Sequence, residues 1–210
     1  MTGHTVYLYV LDTMADWEPG LAIAELNSGR YFKHRGSALT VKTVALNRDP
    51  VTSMGGVRIL PDATLDEIHA DETALLILPG ADTWHEERHA PVPALVEALL
   101  AVGVPVAAIC GATVALAQAG TLNRRRHTSN DLTYLKQICP GYTGEDLYQH
   151  ELAVTDADLI TASGIAPLDF AYQIINRLDL FSQATLDAWY RLFSTHEPEY
   201  FFALMQSLSE

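Results

Sequence analysis

The sequence is poor in cysteine and in basic residues, and each shortage excludes a class of protein. Two cysteines, Cys110 and Cys139, are too few for a disulfide framework, so we expect a reduced, cytoplasmic protein. Lysine and arginine together number 13 against 26 aspartates and glutamates, which gives a formal net charge of −13. Such a chain lacks the basic surface that binds nucleic acid or anionic membranes. We therefore expect neither as a partner.

Long hydrophobic runs are also missing. No apolar segment approaches the length of about 20 residues that a membrane-spanning helix needs. The apolar stretch VYLYVL (6–11) follows no basic region and is too short for a signal peptide. The chain nevertheless has enough apolar residues for a sizeable core, since 49% of its 210 residues are hydrophobic. We expect one domain over 1–180, with 181–210 as a C-terminal helical extension of that domain.

Short apolar segments alternate with helical patterns along the chain. Strands rich in β-branched and other apolar residues are predicted at 4–12, 37–46, 73–80 and 104–110. Residues 51–62 are predicted to form a hairpin or a short edge strand, and residues 151–164 a hairpin-like pair of strands. Helices are predicted at 16–28, capped by Asp16, and at 92–103, 111–120 and 167–178. This alternation indicates an α/β fold with a mostly parallel central sheet between two helical layers. Apolar stripes at 186–193 and 201–208 predict a helical hairpin packed on the core.

The segment VPVAAICGATVAL (104–116) contains the cysteine of greatest interest. In an open α/β sheet, ligands bind beyond the carboxyl ends of the strands, and Cys110 ends one predicted strand. It also stands directly before a helix, whose free N–H groups and positive dipole end favour a thiolate. A sharp strand-to-helix turn followed by small residues is the geometry of a nucleophile elbow. From the residues alone, Cys110 is either such a nucleophile or a buried core residue.

Four segments carry a resemblance to a known family: VRILPDATLDEI (57–68), ALLILPGA (74–81), AAICGATVALAQAGTLNRRRHTSN (107–130) and LITASGIAPLDFAYQII (159–175). In order and spacing they resemble the ThiJ/PfpI family, within the class I glutamine amidotransferase-like superfamily. The resemblance implies a flavodoxin-like three-layer sandwich, a homodimer, and a reactive cysteine at the elbow.

The resemblance also implies partners for that cysteine, Cys110. Glu18 lies where the family has a glutamate whose carboxyl group contacts the cysteine sulfur. Gly80, Ala81 and Gly111 lie where backbone N–H groups are available for an oxyanion hole.

The family's histidine is missing from both of its usual places. Gly111 occupies the position directly after the cysteine, and Asn130 occupies the position further along the same segment. The nearest histidine there is His127, which either approaches the site or points elsewhere. Asn130 either lies in the pocket or caps the following helix, and His85 is a second histidine predicted to reach the pocket. A complete catalytic triad therefore does not follow.

Three short motifs are predicted to have structural roles. HEERH (85–89) matches a zinc-peptidase pattern, but Pro91 and Pro93 leave barely two turns of helix, so we expect no metal and no other cofactor. HEPE (196–199) resembles a glutaminase element, yet it joins two predicted helices, which disfavours a glutaminase subunit. RRR (124–126) is predicted to be solvated or internally paired.

Two functions fit these residues. The first is a cysteine-dependent hydrolase or lyase, in which Cys110 attacks an amide or a small reactive carbonyl compound and His127 or Glu18 moves the proton. Its substrate would be a small molecule or a peptide. The second is a non-catalytic, redox-responsive stress protein, in which Cys110 is reversibly oxidised and the oxidised sulfur is stabilised by Glu18 and the helix N-terminus.

Overall fold

The computed structural model describes residues 4–34 and 39–209. Within these ranges the strands are β1 (Thr5–Tyr9), β2 (Thr40–Ala45), β3 (Val51–Thr52), β4 (Arg58–Ile59), β5 (Ala63–Thr64), β6 (Thr73–Leu78), β7 (Val106–Ile109), β8 (Ala153–Asp156) and β9 (Leu159–Ala162). The α-helices are α1 (Trp17–Ser28), α2 (Pro91–Ala101), α3 (Gly111–Gln118), α4 (Leu132–Ile138), α5 (Pro167–Arg177), α6 (Gln183–Thr195) and α7 (Pro198–Ser207). None of the helices described is both long enough and apolar enough to cross a membrane.

Seven of the strands form one sheet in the order β5-β2-β1-β6-β7-β9-β8. Neighbouring strands run parallel except β8 and β9, which form the predicted antiparallel pair. The central strands are buried on both faces, as their unbroken apolar sequences require, and every residue of β6 and β7 is buried. Helices flank this sheet, so the predicted flavodoxin-like sandwich with a mostly parallel sheet and C-terminal helices is confirmed.

The predicted strand 37–46 begins at Thr40 in the structure, and its first two residues lie outside the described ranges. The predicted hairpin at 51–62 is present as the antiparallel pair β3 and β4. Asp16 precedes α1 as expected, but its side chain does not cap the helix. Its carboxylate instead accepts a hydrogen bond of 2.7 Å from the Gly55 N–H, which ties the hairpin to the start of α1.

Sheet order brings the ends of four strands together. Strands β1, β6, β7 and β9 are successive neighbours, and they run in the same direction. The segments that follow their carboxyl ends carry the residues of interest: Glu18 in the first turn of α1, Gly80 after β6, Cys110 after β7 and Gly164 after β9. A ligand site is expected at this edge in open α/β folds.

The C-terminal hairpin packs on the core through apolar residues of α6 and α7, and one of them, a tryptophan, also makes a buried hydrogen bond. Trp189 on α6 is fully buried, and its indole N–H donates a hydrogen bond of 3.0 Å to the carboxyl group of Glu25 on α1. Arg30 binds the other oxygen of Glu25 through its Nε atom at 2.9 Å. The HEPE segment forms the connector expected between two helices: His196 ends α6 in a left-handed conformation, and Pro198 begins α7.

We expect Trp189→Phe to lower the free energy of unfolding by about 1.5–3 kcal/mol, because it removes a buried hydrogen bond to a charged group. Urea unfolding followed by circular dichroism measures the change. Phe202→Ala is a suitable control, since Phe202 is 70% exposed on α7 and its loss should change stability by less than about 0.5 kcal/mol. Equal effects of the two substitutions would contradict a role for Trp189 in holding α6.

Candidate active site

Cys110 occupies a strained turn between β7 and α3. Its φ of 58° and ψ of −124° lie in a region that residues other than glycine rarely adopt, at a cost of about 1–3 kcal/mol. Hydrogen bonds hold the turn: the Cys110 N–H donates to Ala162 O at 3.0 Å, and its carbonyl oxygen accepts from Thr113 Oγ1 at 2.6 Å. The cysteine side chain is half-buried at the N-terminus of α3. This geometry is that of a nucleophile elbow.

Glu18 is buried against the same turn. Its side chain is fully buried, and Oε2 accepts a hydrogen bond of 2.5 Å from the Gly80 N–H. The other oxygen, Oε1, is buried without a hydrogen-bond partner among the described residues. Burial raises the pKa of Glu18, whereas the hydrogen bond from Gly80 and the neighbouring Cys110 thiol oppose that rise. A carboxyl group with one free oxygen is therefore placed beside the thiol.

Asn130 also contacts the sulfur, and it does not cap a helix. Its Nδ2 atom lies 3.2 Å from Cys110 Sγ. Its Oδ1 accepts a hydrogen bond of 2.8 Å from the Gly164 N–H, which fixes the amide so that the donor group faces the sulfur. The cap of α4 is Asp131, whose carboxylate accepts from Tyr134 N at 2.7 Å. Of the two expectations for Asn130, the structure supports the pocket.

Two glycines allow these groups to approach one another. A Cβ atom at Gly80 would lie 2.9 Å from Cys110 Sγ and 2.8 Å from Glu18 Oε2. A Cβ atom at Gly164 would lie 2.7 Å from Sγ and 3.0 Å from Glu18 Oε1. At each position the distance from the added Cβ atom to Sγ is shorter than real Cβ atoms show, so a side chain fits at neither position unless its neighbours shift. Gly164 is a site residue that was not predicted from the sequence, although its place after the last predicted strand marks it as an edge residue.

The thiol opens into a cavity of about 530 Å³ at the carboxyl edge of the sheet. Apart from Cys110 and Glu18, its lining includes Gly80, Ala81, Gly111, His85 and Asn130 among the predicted site residues. His85 is exposed, and its Nδ1 atom lies 2.7 Å from the Asp82 carbonyl oxygen. Because a carbonyl oxygen can only accept, Nδ1 is the donor of this hydrogen bond.

A model of the DJ-1/PfpI family matches residues 4–177. The chain belongs to the DJ-1/PfpI family. YoaZ of Bacillus subtilis (strain 168), named an uncharacterized protease, is 51% identical over 209 residues, with 100% of both chains covered. A crystal structure of a thiJ/pfpI family protein from Bacillus anthracis is 52% identical and has a TM-score of 0.96, covering 100% of this chain and 99% of that one. A DJ-1 superfamily protein from Agrobacterium tumefaciens is 31% identical, with a TM-score of 0.79 and coverage of 93% and 99%.

His127 does not supply the histidine that this DJ-1/PfpI chain lacks at the usual positions. It is fully buried, with Nδ1 2.6 Å from the Arg125 carbonyl oxygen and Nε2 2.7 Å from the Tyr142 hydroxyl. Both ring nitrogens are therefore engaged, and His127 is not part of the cavity lining. The expectation that it moves a proton for Cys110 is wrong, because the ring forms part of the core under this loop.

Other residues near the site also have structural roles. Arg125 and Arg126 pair with Glu97 and Asp156, so these two arginines of the RRR segment are internally paired as expected. The HEERH segment is not one helix but two short 3₁₀ turns, Asp82–His85 and Glu87–His89. Across the described part of the chain, His, Cys, Asp and Glu form no cluster of three that could hold a metal.

Three backbone N–H groups, those of Gly80, Ala81 and Gly111, are expected from the resemblance to bind an oxyanion, and one of them is already engaged in a hydrogen bond. The Gly80 N–H already donates to Glu18, so the expectation that it binds an oxyanion is wrong for this arrangement. The Gly111 N–H lies in the first turn of α3, where it has no helical acceptor, and it interacts with the Cys110 sulfur. The Ala81 N–H makes no hydrogen bond to any of the residues described. Ala81 and Gly111 are the two remaining candidates for this role.

The thiol is less acidic than its position before a helix suggests. Burial raises the pKa of Cys110, and the Glu18 carboxyl group raises it further, whereas the hydrogen bonds from Asn130 and Gly111 lower it. The helix N-terminus alone would favour a thiolate, but tertiary packing desolvates the sulfur and opposes it. Together these effects raise the pKa of Cys110, which disfavours the thiolate at this site.

We expect Gly164→Ala to destabilise the protein by about 1–3 kcal/mol and to slow alkylation of Cys110, because the new methyl group would lie 2.7 Å from the sulfur. Iodoacetamide labelling followed by mass spectrometry measures the rate. Gly141→Ala is the matched control, since a Cβ atom there meets nothing within 4 Å. Identical labelling of the two variants would show that the backbone after β9 does not confine the sulfur.

The pH dependence of Cys110 alkylation should show an inflection above about 8.5, the ordinary value for a thiol. We expect Glu18→Gln to move it to lower pH, because the substitution removes a negative charge that raises the thiol pKa. Asn130→Ala should move it to higher pH, because a hydrogen bond that lowers the thiol pKa is lost. The measurement uses a Cys139→Ser background. An inflection below 8.5 in the unsubstituted protein, or no shift in either variant, would contradict this description.

Proposed function

We propose that this protein is a cysteine-dependent hydrolase in which Glu18 is the base for Cys110. The observation that carries the proposal is the free oxygen of Glu18, Oε1, which is buried without a hydrogen-bond partner at the same glycine cradle as the sulfur. A buried polar atom normally has a partner, and an exception at an active site indicates a group that acts during the reaction. The relative named an uncharacterized protease agrees with hydrolysis.

In the proposed first step, the Cys110 sulfur attacks the carbonyl carbon of an amide or ester while its proton passes to Glu18 Oε1. The carbonyl oxygen becomes an oxyanion, which the N–H groups of Ala81 and Gly111 stabilise. The intermediate then expels the amine or alcohol, which takes the proton from Glu18, and a thioester remains. A water molecule attacks the thioester, Glu18 accepts its proton and returns it to the sulfur, and the acid is released.

The raised thiol pKa favours this coupled path over a preformed thiolate. Attack on a carbonyl tolerates a protonated thiol when a base removes the proton in the same step. The Gly80 N–H assists by stabilising the Glu18 carboxylate that must accept the proton. The same addition to a small reactive carbonyl compound would give a hemithioacetal in place of a thioester, and a lyase reaction could proceed from it.

The redox-responsive alternative uses the same two residues differently. Glu18, when protonated, would donate a hydrogen bond from Oε1 to an oxidised sulfur, and Asn130 would donate another. Oxidation by peroxide, however, requires the thiolate itself, and burial disfavours that form here. We therefore rank hydrolysis first. The homodimer expected from the family resemblance stays a prediction.

Acylation by p-nitrophenyl butyrate tests the proposal. We expect a burst of p-nitrophenol and a butyryl adduct at Cys110 by intact mass and peptide mapping, because the thioester must form before water attacks it. Cys110→Ala should abolish both signals, and Glu18→Gln should slow the burst by about 10²–10⁴-fold, as the loss of a general base does.

Cys139→Ser serves as the control, because Cys139 is buried at the end of α4 and is not part of the cavity lining, so its loss should change neither signal. Failure of Cys110 to acylate, together with ready conversion to sulfenate and sulfinate by peroxide, would contradict the hydrolase and favour the redox function.

A further inference from the structure

The cavity beside Cys110 carries an uneven distribution of charge. The carboxyl groups of Glu18 and Asp82 and the imidazole of His85 line it. No lysine or arginine among the described residues belongs to this lining. A negatively charged substrate would find no cationic partner here and would be repelled by Asp82, whose side chain is in an exposed position at the rim. The charges therefore favour a neutral or cationic ligand.

Apolar side chains form the rest of the wall. Trp84, Val114 and Ile138 contribute to this wall, and the indole of Trp84 is held by a hydrogen bond of 2.8 Å to the Pro79 carbonyl oxygen. Because that indole N–H already has its acceptor, the ring offers the cavity an apolar surface. A volume of about 530 Å³ lies within the range of small-molecule sites and exceeds what a reactive group alone would fill.

Two exposed aromatic residues stand at the mouth. Trp17 is 53% exposed and Tyr134 is 49% exposed, although both belong to the cavity lining. Trp17 is held in place because its indole N–H donates to the Gly164 carbonyl oxygen at 3.2 Å, on the loop that also confines the sulfur. An exposed but fixed aromatic ring next to a nucleophile is suited to stacking against an apolar group of the substrate.

The apolar surface continues outward from Trp17. Together with Met54 and Val57 of the β3–β4 hairpin it lines a shallow second cavity, whose surface is almost entirely apolar. Met54 is 48% exposed and Val57 is 55% exposed, and Asp16 holds this hairpin against α1 through Gly55. A substrate bound to Cys110 would therefore meet apolar contacts both inside the cavity and beyond its mouth.

We propose that this cavity selects carbonyl compounds that carry an aromatic or branched apolar group and no negative charge, with Trp17 and Tyr134 as specificity-determining residues. This rests on the proposed function, since it describes the substrate of the same cysteine. The apolar wall would contact the apolar group of the substrate, and the Asp82 carboxylate would repel substrates that carry a carboxylate.

Affinity-driven alkylation tests the selection without requiring turnover. The probes are N-phenethyl-2-chloroacetamide, 2-chloroacetamide and chloroacetate, each of which forms a bond from carbon to Cys110 Sγ and releases chloride. Rates at Cys110 are divided by the rates with N-acetylcysteine amide, a neutral thiol, which removes differences in intrinsic reactivity. We expect the phenethyl probe to gain at least about tenfold over 2-chloroacetamide and to saturate, as stacking and burial of its ring predict. Chloroacetate should lose a similar factor.

Substitutions locate the effect. Trp17→Ala and Tyr134→Ala should each reduce the phenethyl advantage, taken as the ratio of the phenethyl rate to the 2-chloroacetamide rate in the same variant, by about two- to tenfold, which corresponds to the energy of an aromatic contact. Asp82→Asn should raise the rate of chloroacetate relative to 2-chloroacetamide. Phe202→Ala, which removes an exposed aromatic ring from α7, should leave all three rates unchanged. Trp17→Phe keeps a ring at the mouth and should retain most of the advantage.

Equal normalised rates for the three probes, or a phenethyl advantage that survives both alanine substitutions, would overturn the selection even if Cys110 hydrolyses esters. The expected ratios combined with no acylation by p-nitrophenyl butyrate would leave the selection standing and contradict the hydrolase instead.

Discussion

The contact between a buried carboxyl group and a thiol is the interaction on which the site depends. Glu18 is fully buried in the first turn of α1, and burial of such a group is costly unless its oxygens are hydrogen-bonded. The Gly80 N–H satisfies one oxygen, and the other is left facing the turn that holds Cys110. Sheet order makes this possible, because β1, β6 and β7 end side by side. The two glycine positions then remove the side-chain atoms that would keep the two groups apart.

Strain at the elbow is tolerated because the elements on either side of it are firmly held. Strand β7 is buried along its whole length and pairs with β6 and β9, so the chain reaches Cys110 in a fixed direction. Helix α3 begins at once, and Thr113 in its first turn binds the Cys110 carbonyl oxygen. A backbone cost of about 1–3 kcal/mol is small beside the apolar burial of such a sheet. The fold thus keeps the sulfur at one point of the cavity.

The sequence predicts the framework better than it predicts the chemistry. Unbroken apolar segments identify the central strands, and a residue that follows such a strand, such as Cys110, is placed at the ligand edge by the architecture alone. The pKa of that residue depends on burial, which arises from contacts distant in the sequence. The local signal of a helix N-terminus therefore indicated the wrong direction.

The fates of His127 and Asn130 show the same limit. The two residues lie in one short loop, and the sequence did not decide which of them reaches the sulfur. Tyr142, on a later loop, holds the His127 ring in the core. Gly164, which follows Asn130 by more than thirty residues, orients the Asn130 amide toward Cys110. Family resemblance indicated that a histidine is absent at position 130, but the orientation of the replacing side chain follows only from the fold.

The asparagine at this position constrains the order of events in the proposed reaction. An amide can donate to sulfur but cannot accept a proton at neutral pH, so Asn130 can stabilise the thiolate that leaves in the last step without helping to activate water. Glu18 is then the base for both halves of the reaction, and it must be ionised twice in each turnover although burial opposes its ionisation. In the first half, the thiol and its base Glu18 already lie side by side in the protein. In the second half, a water molecule must first enter beside an acyl group that fills an apolar cavity. Under the proposed mechanism, hydrolysis of the thioester is therefore the slower half, and the acylated enzyme accumulates during turnover.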